Sequence, residues 1–425
     1  MINTIQMGLS LGEEVCERMG LFGFGKKEKA QPETVQTKAV PANGADQGGM
    51  AEKEEKKVEY LELIYDLIFV YLIGRNNLLL HHLSGGFVPA RVFLGYILCT
   101  LAVIQIWSFS TFYMNLYGRN SVRDHVFLFL NMYLLYHMAD GISEAWQSSV
   151  DQFCIAWILI LVNLGVQHLI EMRNHTDSAA VLVQLRQKAL VLFTEAALVA
   201  VNLAVYHRTG VSTAYVPIFF GILVMLLAGR TDRLADVDFG HLTERTMLYI
   251  VFTFGEMIIS ISAYFSGTIT VRSLYFSLMA FLIIAALFLC YEIFYNKIID
   301  RSLQTDGTGY MLIHVCMIVA LNNISVSLEF MREEEVAVLP KVLFLSLSLI
   351  VYFVFLFLTG LYAEKKRRFR RRFVYILLAA AVTFLALMII LRNHMVVNIA
   401  ITVIYVYGIF LYLYFKEKEP ETEER

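Results

Sequence analysis

Residues 342–361 read VLFLSLSLIVYFVFLFLTGL, a run of 20 positions without a charged side chain. At 1.5 Å per residue a helix of that length covers about 30 Å, the thickness of the hydrocarbon core of a bilayer. Four further stretches carry no charge at all: 92–117, 211–229, 373–391 and 395–415. Seven more are interrupted by occasional polar residues and still fit the window: 60–83, 122–143, 152–171, 187–207, 241–265, 272–296 and 308–330. The expectation is an all-α polytopic membrane protein with about twelve transmembrane helices.

Composition agrees with that reading. The 425 residues are 58% hydrophobic and 17% charged, with a mean hydropathy of +0.60, whereas soluble domains carry about 25% charge and about 45–50% apolar residues. A water-soluble enzyme is not expected, and a net charge of −2 implies no basic surface for nucleic acid. The cysteines Cys16, Cys99, Cys154, Cys290 and Cys316 show neither metal nor disulfide spacing. No Ser-His-Asp or Cys-His arrangement stands out, so neither catalysis nor a cofactor nor a bound metal is expected.

The chain divides into four parts. Residues 1–58 are rich in Lys, Glu, Gln, Ala, Gly and Pro and read as a largely disordered cytoplasmic tail. Within it, residues 20–27 (GLFGFGKK) approach a phosphate-binding loop, but Lys27 stands where Ser or Thr should hold magnesium. Residues 59–230 form a first six-helix half, 231–416 a second, and 417–425 a charged tail. Both halves open on a helix with an acid in its first turn and another deeper. That weak symmetry fits two parallel six-helix repeats.

Basic residues set the orientation. The loops expected inside hold most of them, including the run Lys365, Lys366, Arg367, Arg368, Arg370, Arg371 and Arg372. The opposite loops hold only Arg91, Arg208, Arg272, Arg332, Lys341 and Arg392. Both termini are therefore expected in the cytoplasm of a cell-membrane protein.

Ionisable groups inside a bilayer cost roughly 2.5–3.5 kcal/mol each at mid-helix and mark functional candidates. They cluster on odd-numbered segments, which suggests that odd helices face a protein interior and most even ones face lipid. In the first segment Glu59, Glu62 and Asp66 share one helical stripe, and Asp66 lies a full turn deeper than Glu62. Asp66 must pair across helices, bind a cation or hold a proton; a structural interhelical hydrogen bond is the plain alternative. The fifth segment contributes Glu195. The seventh, HLTERTMLYIVFTFGEMIISIS over residues 241–262, carries His241, Glu244, Arg245 and Glu256. At 100° per residue Arg245 and Glu256 lie about 20° apart around the helix, with Glu256 about 22 Å above His241. A salt bridge locking two helices would account for Glu256 equally well. His241 and Glu244 lack the second pair that a helical metal site needs and read as a polar cluster at the helix entry.

Residues 59–70, EYLELIYDLIFV, resemble the ELFFDLVFV opening of the bacterial low temperature requirement A family. His241-Leu-Thr-Glu244-Arg245 followed by Phe254-Gly255-Glu256 resembles that family's H-x-x-E-R and L-G-E signature. Tyr65 and Phe254 depart from the usual Phe and Leu, and Arg75-Asn76-Asn77 is not the usual continuation. The resemblance covers about residues 58–416. It implies a polytopic bacterial membrane protein linked by name to growth in the cold, and it carries no molecular activity.

Two functions follow as expectations. One is a transporter or channel for an ion or small solute, with Asp66 and Glu256 on a polar path supported by Glu62, Arg245 and Glu195. Its partners would be the bilayer and a small cation or proton. The other is a non-transport sensor or scaffold in cold or stress adaptation, acting through the tails and the basic run. A lipid-modifying enzyme would need a nucleophile or metal that the sequence does not display.

Overall fold

A computed structural model of the chain describes residues 56–142, 146–231, 237–262, 270–364 and 371–418. Most of the N-terminal tail with its residues 20–27, Cys16, most of the basic run and the last residues of the C-terminal tail lie outside the described residues.

Among the described residues, twelve long helices follow one another. They are α1 (Tyr60–Asn77), α2 (Ala90–Tyr117), α3 (Val122–Asp140), α4 (Trp146–Glu171), α5 (Ala179–Thr209) and α6 (Tyr215–Thr231). The second half has α7 (Phe239–Ser260), α8 (Val271–Ile293), α9 (Thr308–Arg332), α10 (Val338–Leu358), α11 (Arg371–Ile390) and α12 (Met395–Lys418). Among the described residues, extended pairing is limited to the isolated bridges Ser84–Phe87 and Ile299–Ala363. The fold is an all-α polytopic membrane protein. Among the described residues, nine of the helices are long and apolar enough to cross a bilayer. The other three are α6, whose apolar part is short, and α3 and α7, which carry the charges that lower their hydropathy.

Polar residues at the ends set the helix boundaries. Ser121 and Asp124 form a reciprocal cap at the start of α3, and Asp238 accepts a hydrogen bond from the His241 backbone at the start of α7. The end of α5 is a left-handed Gly210 (φ 70°), a conformation glycine adopts without Cβ strain.

The expected split between odd interior helices and even lipid-facing ones does not hold. Even-numbered α2 and α4 are among the more buried spans, whereas odd-numbered α11 is the least buried. Polarity reports where charge must be hidden, not how much apolar surface a neighbour covers. In a membrane an apolar helix packs against protein as readily as against lipid. The tightest neighbours are α4 with α5, α9 with α10, α3 with α4, and α8 with α12. Two packings position the candidate sites: α1 lies against α7, and α2 packs on α4 and α6 while α5 packs on α4 and α6.

Candidate functional site

The polar stripe of α1 meets that of α7. Arg245 Nη1 lies 2.9 Å from Glu62 Oε2, and Nη2 lies 2.5 Å from Asp66 Oδ1. One guanidinium fork thus serves two carboxylates one turn apart, which suits its planar, always-charged geometry. All three side chains are buried, and Arg245 is among the largest fully buried residues of the described chain. Asp66 Oδ1 also accepts from Trp107 Nε1 of α2 at 2.8 Å. The Trp107 indole stacks on Tyr249 with centroids 4.5 Å apart and lies 5.9 Å from the guanidinium carbon of Arg245. Residues 241, 245 and 249 are successive turns of one face of α7.

His241 completes the group. Its Nδ1 lies 3.1 Å from Asn115 Nδ2, and the same amide donates to the Asp238 carbonyl at 2.8 Å while its oxygen accepts from the Asp238 backbone. Because the amide nitrogen can only donate, Nδ1 accepts and Nε2 carries the proton, pointing toward Glu62 Oε2 at 3.6 Å. Below this, the Lys56 ammonium donates to the carbonyls of Met114, Asn115 (3.3 Å) and Gly118 (2.9 Å), capping the end of α2. Burial holds the pKa of Lys56 below the usual lysine value, against the opposing pull of Glu62 and Asp238. The network keeps spare acceptors, since Glu62 Oε1 and Asp66 Oδ2 are buried without hydrogen-bond partners.

The other expected residues lie elsewhere. Glu256 shares the α1-facing side of α7 with Arg245, as the angle between them requires. It reaches Gly74, two turns along α1 from Asp66, where its Oε1 stands 2.5 Å from the position of an added Cβ. It is half-buried and makes no ion pair among the described residues, so the salt bridge between α1 and α7 belongs to Arg245. Near it, His81 Nε2 pairs with Glu329 Oε2 at 3.2 Å. Glu244 is half-buried on a different side of α7, within electrostatic reach of Tyr295, and takes no part in the network.

Glu195 forms a second, separate centre. It is fully buried on α5. Its Oε2 and the Gln105 amide of α2 both lie within 2.6 Å of the point where a Cβ on Gly221 of α6 would stand. Only a glycine lets α6 approach so closely. Gln105 Nε2 donates to the Ile218 carbonyl at 3.4 Å.

Cavities flank this layer on both sides along the same three helices. Toward the Gly210 end lies a cavity of about 980 Å³, lined by Cys99, Trp157, Asn202, Ser212 and Ile218 among others. Toward the Tyr117 end lies one of about 390 Å³, lined by Phe109, His168, Lys188, Leu192 and Val224 among others. Exposed residues line both, Val211 and Tyr215 at the mouth of the first and Asp306 at that of the second, and each also opens sideways, past Leu94 in the first and past Leu190 and Leu227 in the second. On α5 the lining stops at Leu192 and resumes at Asn202, on α6 at Ile218 and Val224, and on α2 at Cys99 and Phe109. Glu195, Gly221 and Gln105 occupy those three gaps.

A scan against protein-family models matches residues 57–409 to the bacterial low temperature requirement A protein (LtrA). The chain belongs to the bacterial low temperature requirement A family. An uncharacterized protein of Rhizobium meliloti (strain 1021) is 25% identical over 215 residues, covering 49% of this chain and 51% of that relative. The chain thus spans about half the length of the curated relative it matches. The two stretches that resemble the family are the two faces that meet: residues 59–70, which open α1, supply Glu62 and Asp66, and residues 241–256 of α7 supply His241 and Arg245.

Sequence reasoning located these four residues but missed their neighbours. Trp107, Asn115 and Gln105 lie in an uncharged run read as lipid-facing, and Gly221 in another. The available signal was Gln105 itself, an amide placed mid-span where an unpaired polar group is costly. Glu171 was also missed. Its buried carboxylate takes Arg123, Asn174 (3.0 Å) and His175 (3.1 Å), clamping the end of α4 to the start of α3.

Proposed function

We propose that this protein is a membrane transport protein for an ion or small solute, not an enzyme. It resides in the cell membrane with both termini cytoplasmic, so the Asp306 mouth opens to the cytoplasm and the Gly210 mouth to the outside. The observation that carries the reading is the pair of cavities entering the same helix group from opposite ends and stopped by one closed layer. A carrier needs this arrangement to expose a path to one side at a time. The volumes suit a small molecule, since ligand sites typically occupy about 300–1,000 Å³. Cold adaptation, as the family's name suggests, would follow from the solute moved.

In this reading the Glu62–Asp66–Arg245–His241 network is a latch, not the path. It ties the first helix of one half to the first helix of the other, and buried ion pairs of this kind hold one arrangement at a steep cost to any other.

The test is flux into proteoliposomes read with proton- and potassium-sensitive dyes, with and without a pool of small polar solutes. The wild type should show gradient-dependent flux, Glu195→Gln should lose it, and Glu256→Gln should keep it because Glu256 lies outside both cavities. Absence of wild-type flux under every gradient and solute would overturn the transport reading.

A further inference from the structure

Glu195 has no counterpart to the arginine that serves Asp66. Both of its carboxyl oxygens are buried without a hydrogen-bond partner, and so is Oε1 of Gln105, whose Nε2 and Cδ stand with Glu195 Oε2 around Gly221. No ion pair reaches it among the described residues, and no charged neighbour acts on it. The elements packed around it confirm the isolation. α2 presents Gln105 and α6 presents Gly221, while the ionisable Cys154, His168 and Lys188 of α4 and α5 line the cavities above and below. A carboxylate so placed needs a proton, a cation or a donating solute beside it.

Oxygen counting separates these options. Hard metal cations take six to eight oxygen ligands. The layer's side chains and backbone offer at most four: the two oxygens of Glu195, Gln105 Oε1, and the Ile218 carbonyl, which keeps a second lone pair beside the one the Gln105 amide uses. A proton needs one. Once protonated, the carboxyl gains an O–H donor, and the Gln105 side chain of the same layer carries a buried acceptor without a partner, Oε1.

We propose that Glu195 is the proton-binding carboxyl of a gate between the two cavities, closed by Gln105 and by the bare backbone of Gly221. This rests on the transport reading and assigns its coupling ion. The step is one proton bound at a Glu195 oxygen and later released from it, with no other bond made or broken. Protonated, the carboxyl stays buried, and α6 closes onto it at Gly221. Ionised, it demands water, which only opening toward one of the cavities supplies. The short α6, whose glycine makes the close approach, is the element that moves. The path thus runs through α2, α4, α5 and α6 and bypasses Asp66 and Arg245.

The experiment uses the full-length protein in lipid membranes and needs no knowledge of the solute. Infrared titration in D₂O should reveal a carboxylic C=O band that disappears as pH is raised. That band should be missing in Glu195→Gln, shifted in Gln105→Leu and retained in Asp66→Asn. In a cysteine-free background, Ser212→Cys and Val224→Cys should react with a membrane-impermeant maleimide from opposite faces. Their relative reactivity should change with pH in the presence of Glu195 and lose that dependence in Glu195→Gln. If Glu195→Gln and Gln105→Leu both leave the infrared bands unchanged, the proton assignment is overturned while the path survives. Should both cysteines label from the same face, the path fails, and the transport reading fails with it.

Discussion

Asp66 and Glu195 are both acids with no exposed surface in the membrane-embedded part of the chain, yet their surroundings are opposites. Asp66 receives a guanidinium at 2.5 Å and an indole N–H at 2.8 Å, whereas Glu195 receives no hydrogen bond among the described residues and stands against an amide and a glycine. A charge-paired acid resists any change in its protonation, because losing the charge strands its partner. An unpaired one can change state without breaking a bond to the protein. The first centre is built to hold α1 against α7, and the second to respond.

Substitutions can break or sharpen that contrast. Arg245→Met should have the largest effect, because it leaves Glu62 and Asp66 buried without a cation. A loss of about 3–5 kcal/mol is expected, seen as collapse of the monodisperse peak in detergent and a lower unfolding temperature. A well-folded Arg245→Met protein would put the two acids on the same footing.

Next comes Gly221→Ala, whose new Cβ would stand 1.6 Å from Gln105 Nε2. Overpacking of this kind costs roughly 1–3 kcal/mol. The cost should shrink in a Gln105→Ala background, giving a coupling energy above about 0.5 kcal/mol in a thermal-unfolding double-mutant cycle. Additive effects would mean that α6 does not close on Gln105.

Glu195→Gln should leave the unfolding temperature unchanged or raise it, because no ion pair is lost. A drop comparable to that of Arg245→Met would expose a hidden partner and end the contrast.

The smallest effect is expected for Lys56→Met, which removes a cation from the carbonyl end of α2 and should cost about 0.3–1 kcal/mol. Burial lowers the Lys56 pKa, so the folded state binds this proton less tightly than the unfolded chain. The wild type should therefore gain stability relative to the variant as pH rises toward the lysine value of 10.5. Denaturation curves at several alkaline pH values would read the trend, and an opposite slope would contradict the assigned burial.

The sequence alone determined the membrane class, the twelve helices and the pairing face of each half, because hydrocarbon thickness sets span length and burying charge is costly. It also supplied Glu62, Asp66, His241 and Arg245, whose spacing of four residues keeps each pair on one helical face. The fold of the tertiary structure decided which stripe meets which. It sent Glu256 to Gly74, left Glu244 aside, and placed Glu195 with Gln105 and Gly221 between two cavities. Helical periodicity ranks the faces of a single helix, but an uncharged helix carries no mark of its neighbour. The meeting of Glu195, Gln105 and Gly221 therefore became visible only when α2, α5 and α6 were packed together.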